Sequence, residues 1–127
     1  MSKPSELHSV TFGRTAPTIP VTDIEKSLDF YIHVLGFKNV FQNGNPVGFV
    51  ILVKDSAEIH LTLKKEHKAT DRNVFHMMIS DASALYQYLE SKNVKIIKGL
   101  RTADYGLKQF VFCDPDHNRI DVGEDVD

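Results

Sequence analysis

The feature that most constrains this chain is a short signature that occurs twice. Val21-Thr22-Asp23 and Ile79-Ser80-Asp81 lie 58 residues apart, counted from Asp23 to Asp81. Each reads as a strand end, a hydroxyl residue and an acid opening a helix. A chain of 127 residues with two such starts has room for one domain built from two small halves, and not for two independent domains.

The residues around each start extend the parallel. In the first half, apolar Pro17, Ile19 and Val21 alternate along Thr15 to Val21, a strand pattern that two prolines demote to an edge or interrupted strand. Thr22 as N-cap with Glu25 three residues on forms a capping box. Ile24, Leu28, Tyr31 and Leu35 make one apolar stripe, and Gly36 is a natural stop, so the spacing predicts a helix over 23–35. Strands follow at 38–42, 47–53 and 58–63, separated by Asn43-Gly44-Asn45-Pro46 and Lys54-Asp55-Ser56. The second half repeats the order: a strand at 73–79, a helix to about Lys92 ended by Asn93, and strands at 94–97, 108–113 and 119–122. Asp114-Pro115-Asp116-His117-Asn118 is a strong turn, because proline presets the backbone and Asp and Asn bond their own main chain. The expected fold is α+β: two βαβββ modules, about 15–63 and 73–124, whose mixed sheets curve into a cup, preceded by a tail over 1–14. All of it forms one domain over 1–127.

Composition removes several function classes. A net charge of −2 argues against sequence-independent nucleic-acid binding, which needs a basic face. No apolar run approaches the ~18 residues of a membrane span. The opening Met1-Ser2-Lys3-Pro4-Ser5-Glu6 has no apolar stretch behind its charge, so no secretory leader is expected. Cys113 is the one cysteine, which forbids an internal disulfide and points to a reducing cytoplasm and an inert core thiol. The chain carries no Gly-rich phosphate loop, no G-x-S-x-G elbow and no HExxH. Residues 114–127 hold six acids against Arg119, which reads as a solvated, frayed acidic tail or as an acidic rim for a cationic ligand.

Ala16-Pro17-Thr18-Ile19-Pro20-Val21-Thr22-Asp23-Ile24-Glu25-Lys26-Ser27-Leu28-Asp29-Phe30-Tyr31, with Leu35-Gly36-Phe37 after it, resembles the opening of the glyoxalase/bleomycin-resistance/dioxygenase (vicinal oxygen chelate) superfamily. Tyr105 to Asp121, with its Asp114-Pro115-Asp116 turn, resembles that family's closing segment, with His117 in place of the usual glycine. The likeness covers about residues 15–124, and its Ala-Pro-x-Ile-Pro-Val strand looks most like the bleomycin-resistance branch. That branch implies a small homodimer that sequesters a ligand, such as a cationic or aromatic antibiotic, in grooves between subunits without a metal. The enzymes of the superfamily hold a divalent metal at four places, which carry over to Ala16, Thr62, Val74 and Asp121. Alanine and valine have no donor atom and threonine is a poor ligand, so no cofactor is expected there.

The cup is expected to be lined by Thr18, His60, Thr62, His76, Met78 and Asp121, with Tyr105 and Phe110 near its mouth and Asp121 as its sole acid. Along a strand, a shift of two residues keeps the same face. His60 and His76 therefore point the same way as Thr62 and Val74 and could, with Asp121, form a displaced site for Zn, Fe, Ni or Mn. Against that stand two readings: a polar, proton-switchable lining, and histidines merely satisfied by neighbours. Phe41, Phe49, Phe75 and Phe112 read by default as core, Met77 as core and His33 as surface. The first function expected is a metal-free small-molecule binder. The alternatives are a metal-dependent lyase, isomerase or dioxygenase with an atypical ligand set, and a relative by fold alone that binds another protein.

Overall fold

In the computed structural model, which describes residues 4–126, each half of the chain builds its own four-stranded sheet. Met1-Ser2-Lys3 and Asp127 lie outside the described residues. After a 3-10 turn at Pro4–Ser9 come β1 (Thr18–Val21), α1 (Ile24–Leu28, widening into a π-helical turn Asp29–Val34), β2 (Lys38–Asn43), β3 (Phe49–Lys54) and β4 (Ala57–Leu63). The second half runs β5 (Asn73–Met78), α2 (Ala82–Ser91), β6 (Ile96–Thr102), β7 (Leu107–Cys113) and β8 (Arg119–Asp125). The strand orders are β1-β4-β3-β2 and β5-β8-β7-β6, each with one parallel pair beside two antiparallel ones. The two βαβββ modules with mixed sheets are therefore the fold. Among the described residues, no helix is long and apolar enough to cross a membrane.

Alternation decides which face of each sheet is covered. Ile19, Val21, Val50, Leu52, Ile59 and Leu61 are buried on one side of the first sheet. Phe110, Phe112, Ile120 and Val122 are buried on the matching side of the second. They join Ile24, Phe30, Tyr31 and Leu89 of the helices in one core shared by both modules. Phe30 meets Phe112 with ring centroids 6.4 Å apart, so an apolar contact crosses from one module to the other.

Several local details depart from the sequence reading. Asp23, not Thr22, caps α1, its carboxylate accepting from Lys26 N. Thr22 turns instead to Asp116, donating from both its backbone N–H (3.0 Å) and its hydroxyl. Asp81 caps α2 in the same way, accepting from Ala84 N. β1 is four residues long and holds Pro20 within it beside Thr62, while Pro17 just before it accepts from His60 N at 2.9 Å. β6 runs longer than expected, through register shifts that alternation alone does not reveal. Gly36, Asn93 and His117 adopt positive φ, as the two helix stops and the Asp-Pro turn required.

The acidic C-terminal stretch is not a frayed, solvated tail. Asp114 is buried, Asp116 holds Thr22, and Glu124 accepts from the first N–H of α2 at Ala82 (2.9 Å). Asp114 also takes the Tyr31 hydroxyl at 2.8 Å, which binds α1 to the β7–β8 turn. Burial, reinforced by the Asp114 charge beside it, pushes the Tyr31 hydroxyl well above the ordinary tyrosine value. Folding therefore favours the neutral phenol. The stability this contributes is full below about pH 10 and is lost as pH rises from there through the raised value. Urea midpoints at pH 9 and pH 11 are expected to fall more steeply for the wild type than for Tyr31→Phe. Equal slopes in the two proteins would contradict this.

Candidate functional site

The faces turned away from the shared core carry the polar chemistry. On the first sheet the register sets Thr18 beside His60 on β1 and β4, and sets Ile51 and Phe49 beside His60 and Thr62 on β3 and β4. On the second sheet His76 stands beside Asp121, and Met78 beside Gly123. A cleft of about 420 Å³ lies along the seam between modules. Ala16, Pro17 and Glu58 line it from the first module, and Phe75 and His76 from the second. A second cleft of about 360 Å³ reaches the helix side between Phe37, Met77, Leu85 and Phe112.

On the first sheet, Glu58 is the organising residue. It lies two residues before His60 on β4 and shares its face. One carboxylate oxygen meets His60 Nε2 at 2.7 Å and the other meets the Arg14 guanidinium at 2.9 Å. The His60 hydrogen bond, helped by Arg14, holds the Glu58 carboxyl below the usual carboxylate range, so it is an anion at neutral pH. The His60 ring also stands edge-on to Phe49 at 5.4 Å, and Phe49 to Phe41 at 6.4 Å. An aromatic row thus crosses β4, β3 and β2 next to the ion pair.

On the second sheet, His76 Nδ1 meets Asp121 Oδ2 at 2.6 Å and His76 Nε2 meets Met78 Sδ at 3.2 Å. Asp121 Oδ1 is buried without a hydrogen-bond partner among the described residues. Such an orphan is costly in isolation, and it is the atom a ligand donor would satisfy. Tyr105, 62% exposed, donates its hydroxyl to Gln109 Oε1 at 2.7 Å above this face.

Thr18, His60, Thr62, His76, Met78 and Asp121 accordingly lie on the two open faces, and Tyr105 lies at the edge of the second. Phe110 does not belong with them. It is fully buried on the helix side, 5.1 Å from the Tyr86 ring of α2, because β7 turns its even positions 110 and 112 to the core. Asp121 is not the sole acid either, since Glu58 shares the open face. Phe41 and Phe49 leave the core expected of them: Phe41 is half exposed and packs on Phe49, which in turn meets His60. Arg14, placed in a tail by its sequence position, joins the site through Glu58. The i, i+2 spacing of Glu58 and His60 was the available signal for the pair. Cys113 is buried, and burial raises its thiol above the ordinary value, which keeps it unreactive.

The displaced metal trio does not assemble. His76 and Asp121 touch, whereas His60 bonds Glu58 in the other sheet. Among the described residues no three His, Cys, Asp or Glu side chains gather where they could hold a metal ion. At the four places carried over from the resemblance, Ala16 and Val74 contribute only methyl groups. The donor set does not fit the divalent ion that such enzymes use.

A profile of the Glyoxalase/Bleomycin resistance protein/Dioxygenase superfamily matches residues 10–122. A superfamily member from Sphaerobacter thermophilus DSM 20745 is 28% identical in sequence, with a TM-score of 0.77 over 91% of this chain and 98% of that one. A glyoxalase family protein from Enterococcus faecalis is 20% identical, with a TM-score of 0.70 over 86% and 94% of the two chains. A bleomycin resistance determinant encoded on the transposon Tn5 is 18% identical, with a TM-score of 0.73 over 90% and 98%. At their identities the last two establish likeness of fold. No curated protein matches significantly.

Proposed function

Because this chain belongs to the Glyoxalase/Bleomycin resistance protein/Dioxygenase superfamily, we propose that it binds a small organic molecule on the open faces of its two sheets and sequesters it without a metal. The observation that carries this reading is the orphaned Asp121 Oδ1, buried beside oriented polar groups and next to the seam cleft. The ligand fitting these groups presents a hydrogen-bond donor to Asp121 and an aromatic surface to Phe41, Phe49 and His60. Glu58 and Asp121 give both faces carboxylates, which suits a cationic or neutral ligand over an anionic one. The fold shared with the Tn5 bleomycin resistance determinant is compatible with such a role. A single buried thiol suits the reducing cytoplasm as its place of action.

Thermal-shift screening of aromatic and cationic compounds, in buffer containing a chelator, tests the reading. A true ligand at about 100 times its Kd stabilises the fold by about 2.7 kcal/mol. Asp121→Ala is expected to weaken that ligand at least about tenfold, the loss of one charge-assisted hydrogen bond. The same change should move the urea midpoint little, since the loss of the Oδ2 bond to the part-exposed His76 is offset by removal of the buried, unpartnered Oδ1. If Asp121→Ala unfolds the protein, or no compound stabilises the wild type, the site is wrongly assigned.

The same proposal includes a homodimer, which would close the open faces into grooves. The edge strand β2 exposes Val40 and Phe41, each about half accessible, beside its unpaired backbone groups. Pairing with a second copy would cover such an edge. Sedimentation at micromolar concentration is expected to give twice 14.4 kDa. A clean monomer would remove the intersubunit groove while leaving the within-chain seam.

A further inference from the structure

Strand β6 is the outer edge of the second sheet, and its pairing with β7 slips twice. Ile96 stands beside Phe112, Lys98 beside Val111 and Arg101 beside Gln109. Each slip is a bulge, which inserts a residue and reverses the face that the following side chains take. Strict alternation puts residues three apart on opposite faces. The bulge between Lys98 and Arg101 instead sets both on the open face, the one that Val111 and Gln109 share with Asp121 and Gly123. The two residues between them turn the other way. Leu100 packs on the core, and a Cβ on Gly99 would stand 3.7 Å from the Tyr86 hydroxyl of α2.

The same register places this pair of cations relative to the orphaned carboxylate. His76, Asp121, Val111 and Lys98 form one row across the four strands, and Met78, Gly123, Gln109 and Arg101 form the next. At ordinary strand spacing, the backbones of Asp121 and Lys98 are about 10 Å apart. Val111 and Gln109, between the acid and the cations, are only 2% and 6% exposed. Lys98 and Arg101 are exposed, and among the described residues neither pairs with a carboxylate. One face thus carries an acid oxygen without a donor at one end and two cations without an acceptor at the other. Lysines and bulges also guard a sheet edge against pairing with another chain. That role is indifferent to which face the cations take, and here both take the face of Asp121.

We infer that Lys98 and Arg101 form the anion-recognising end of the open-face site, and that its ligand is amphoteric, with a donor or cationic group at Asp121 Oδ1 and a carboxylate at the β6 edge. The guanidinium fork of Arg101 matches a planar carboxylate in two parallel hydrogen bonds, and Lys98 adds a mobile point charge beside it. This rests on the small-molecule binding proposed above and narrows its ligand: an anionic group is accepted only at the end of the molecule far from Asp121.

The test titrates the full chain, followed by amide NMR, with para-aminomethylbenzoate, which holds an ammonium and a carboxylate a benzene ring apart, and with its two halves, benzylamine and benzoate. The amphoteric probe is expected to bind at least about tenfold more tightly than either half, the effect of one further charge-assisted contact. It should shift the amides of Lys98 and Arg101 together with those around Asp121. Replacing both cations, Lys98→Ser with Arg101→Ser, changes exposed side chains only, so the protein is expected to fold. It should weaken the amphoteric probe to the level of benzylamine and leave benzylamine itself unchanged. Arg101→Lys keeps the charge without the fork and should lose part of the gain. Benzylamine bound as tightly as the amphoteric probe would overturn this inference and leave the metal-free binder standing. An unchanged affinity in the double variant, above all in one that now self-associates, would overturn it by making the cations edge guards only. Failure of all three probes to shift the open face would overturn it as well, while the thermal-shift screen of other compounds decides the binder independently.

Discussion

Asp114→Ala is expected to lower the unfolding free energy by about 3–5 kcal/mol, a large part of the ~5–15 kcal/mol that holds a domain of this kind together. Four donors converge on this one carboxylate. Oδ1 accepts from the backbone N–H groups of Asp116 and Asn118, both at 2.9 Å, and thereby shapes the turn after β7. Oδ2 accepts from the Tyr31 hydroxyl at 2.8 Å and from Asn118 Nδ2 at 3.0 Å. Asn118 in turn donates to Pro20 O at 2.9 Å and bonds His67 Nε2 at 2.8 Å, so the turn grips β1, α1 and the connector between modules. Alanine leaves all four donors without an acceptor in a region where Tyr31, Asn118 and residue 114 itself are buried. Each stranded donor costs about 1–3 kcal/mol, and relaxation recovers part of the sum. Burial raises the Asp114 carboxyl above its usual value despite these bonds, so removing the charge returns some desolvation energy and keeps the total below the simple sum.

Asp114→Asn separates the parts of the clamp. Its carbonyl oxygen can still serve the two backbone N–H groups, while its amide faces Tyr31 and Asn118 with the wrong polarity. About half the alanine cost is expected. Urea unfolding at pH 7 measures both variants. A loss below 1 kcal/mol in Asp114→Ala would show that the turn is not what fixes one module to the other. The same experiment bears on function, because the seam cleft exists only while the modules keep their relative position.

How much of this was legible in the sequence depends on the range of the interaction. The modules, the two helix starts and the Asp-Pro turn are local, and hydrophobic period and turn chemistry reveal them. The clamp joins Tyr31 to Asp114 and Thr22 to Asp116, pairs far apart in the chain. Nothing local says that Thr22 leaves its helix to bond a distant carboxylate, so the capping box was a reasonable expectation that tertiary structure displaced. The open-face residues were legible wherever strand parity could be counted, as for His60, His76 and Asp121. Phe41 was not, because a register shift between Asn39 and Phe41 breaks the parity of β2. Arg14 was not, because it precedes any regular element and reaches Glu58 only in the folded chain.

Phe110 is where parity could have been applied and an aromatic side chain near a presumed mouth pointed the other way. Cys113, Val111 and Gln109 share one face of β7, and Phe110 and Phe112 share the other, which packs on α2. Phe110→Ala is therefore expected to cost about 3–5 kcal/mol, the range for deleting a buried aromatic ring from a core that collapses only partly. The edge-on contact with Tyr86 at 5.1 Å and the neighbouring Phe112 at 5.9 Å add to the plain loss of buried area. Phe110→Leu, which keeps most of the volume, is expected to cost about 1–1.5 kcal/mol. At roughly 4 °C per kcal/mol for a domain of this size, the alanine variant should melt about 12–20 °C lower. The affinity of an open-face ligand, measured below that melting point, should stay at the wild-type value, since His76 and Asp121 lie on the opposite face of the sheet. A Phe110→Ala protein of unchanged stability with weakened binding on the open face would return this residue to the ligand side and reverse the assignment of faces for the whole second sheet.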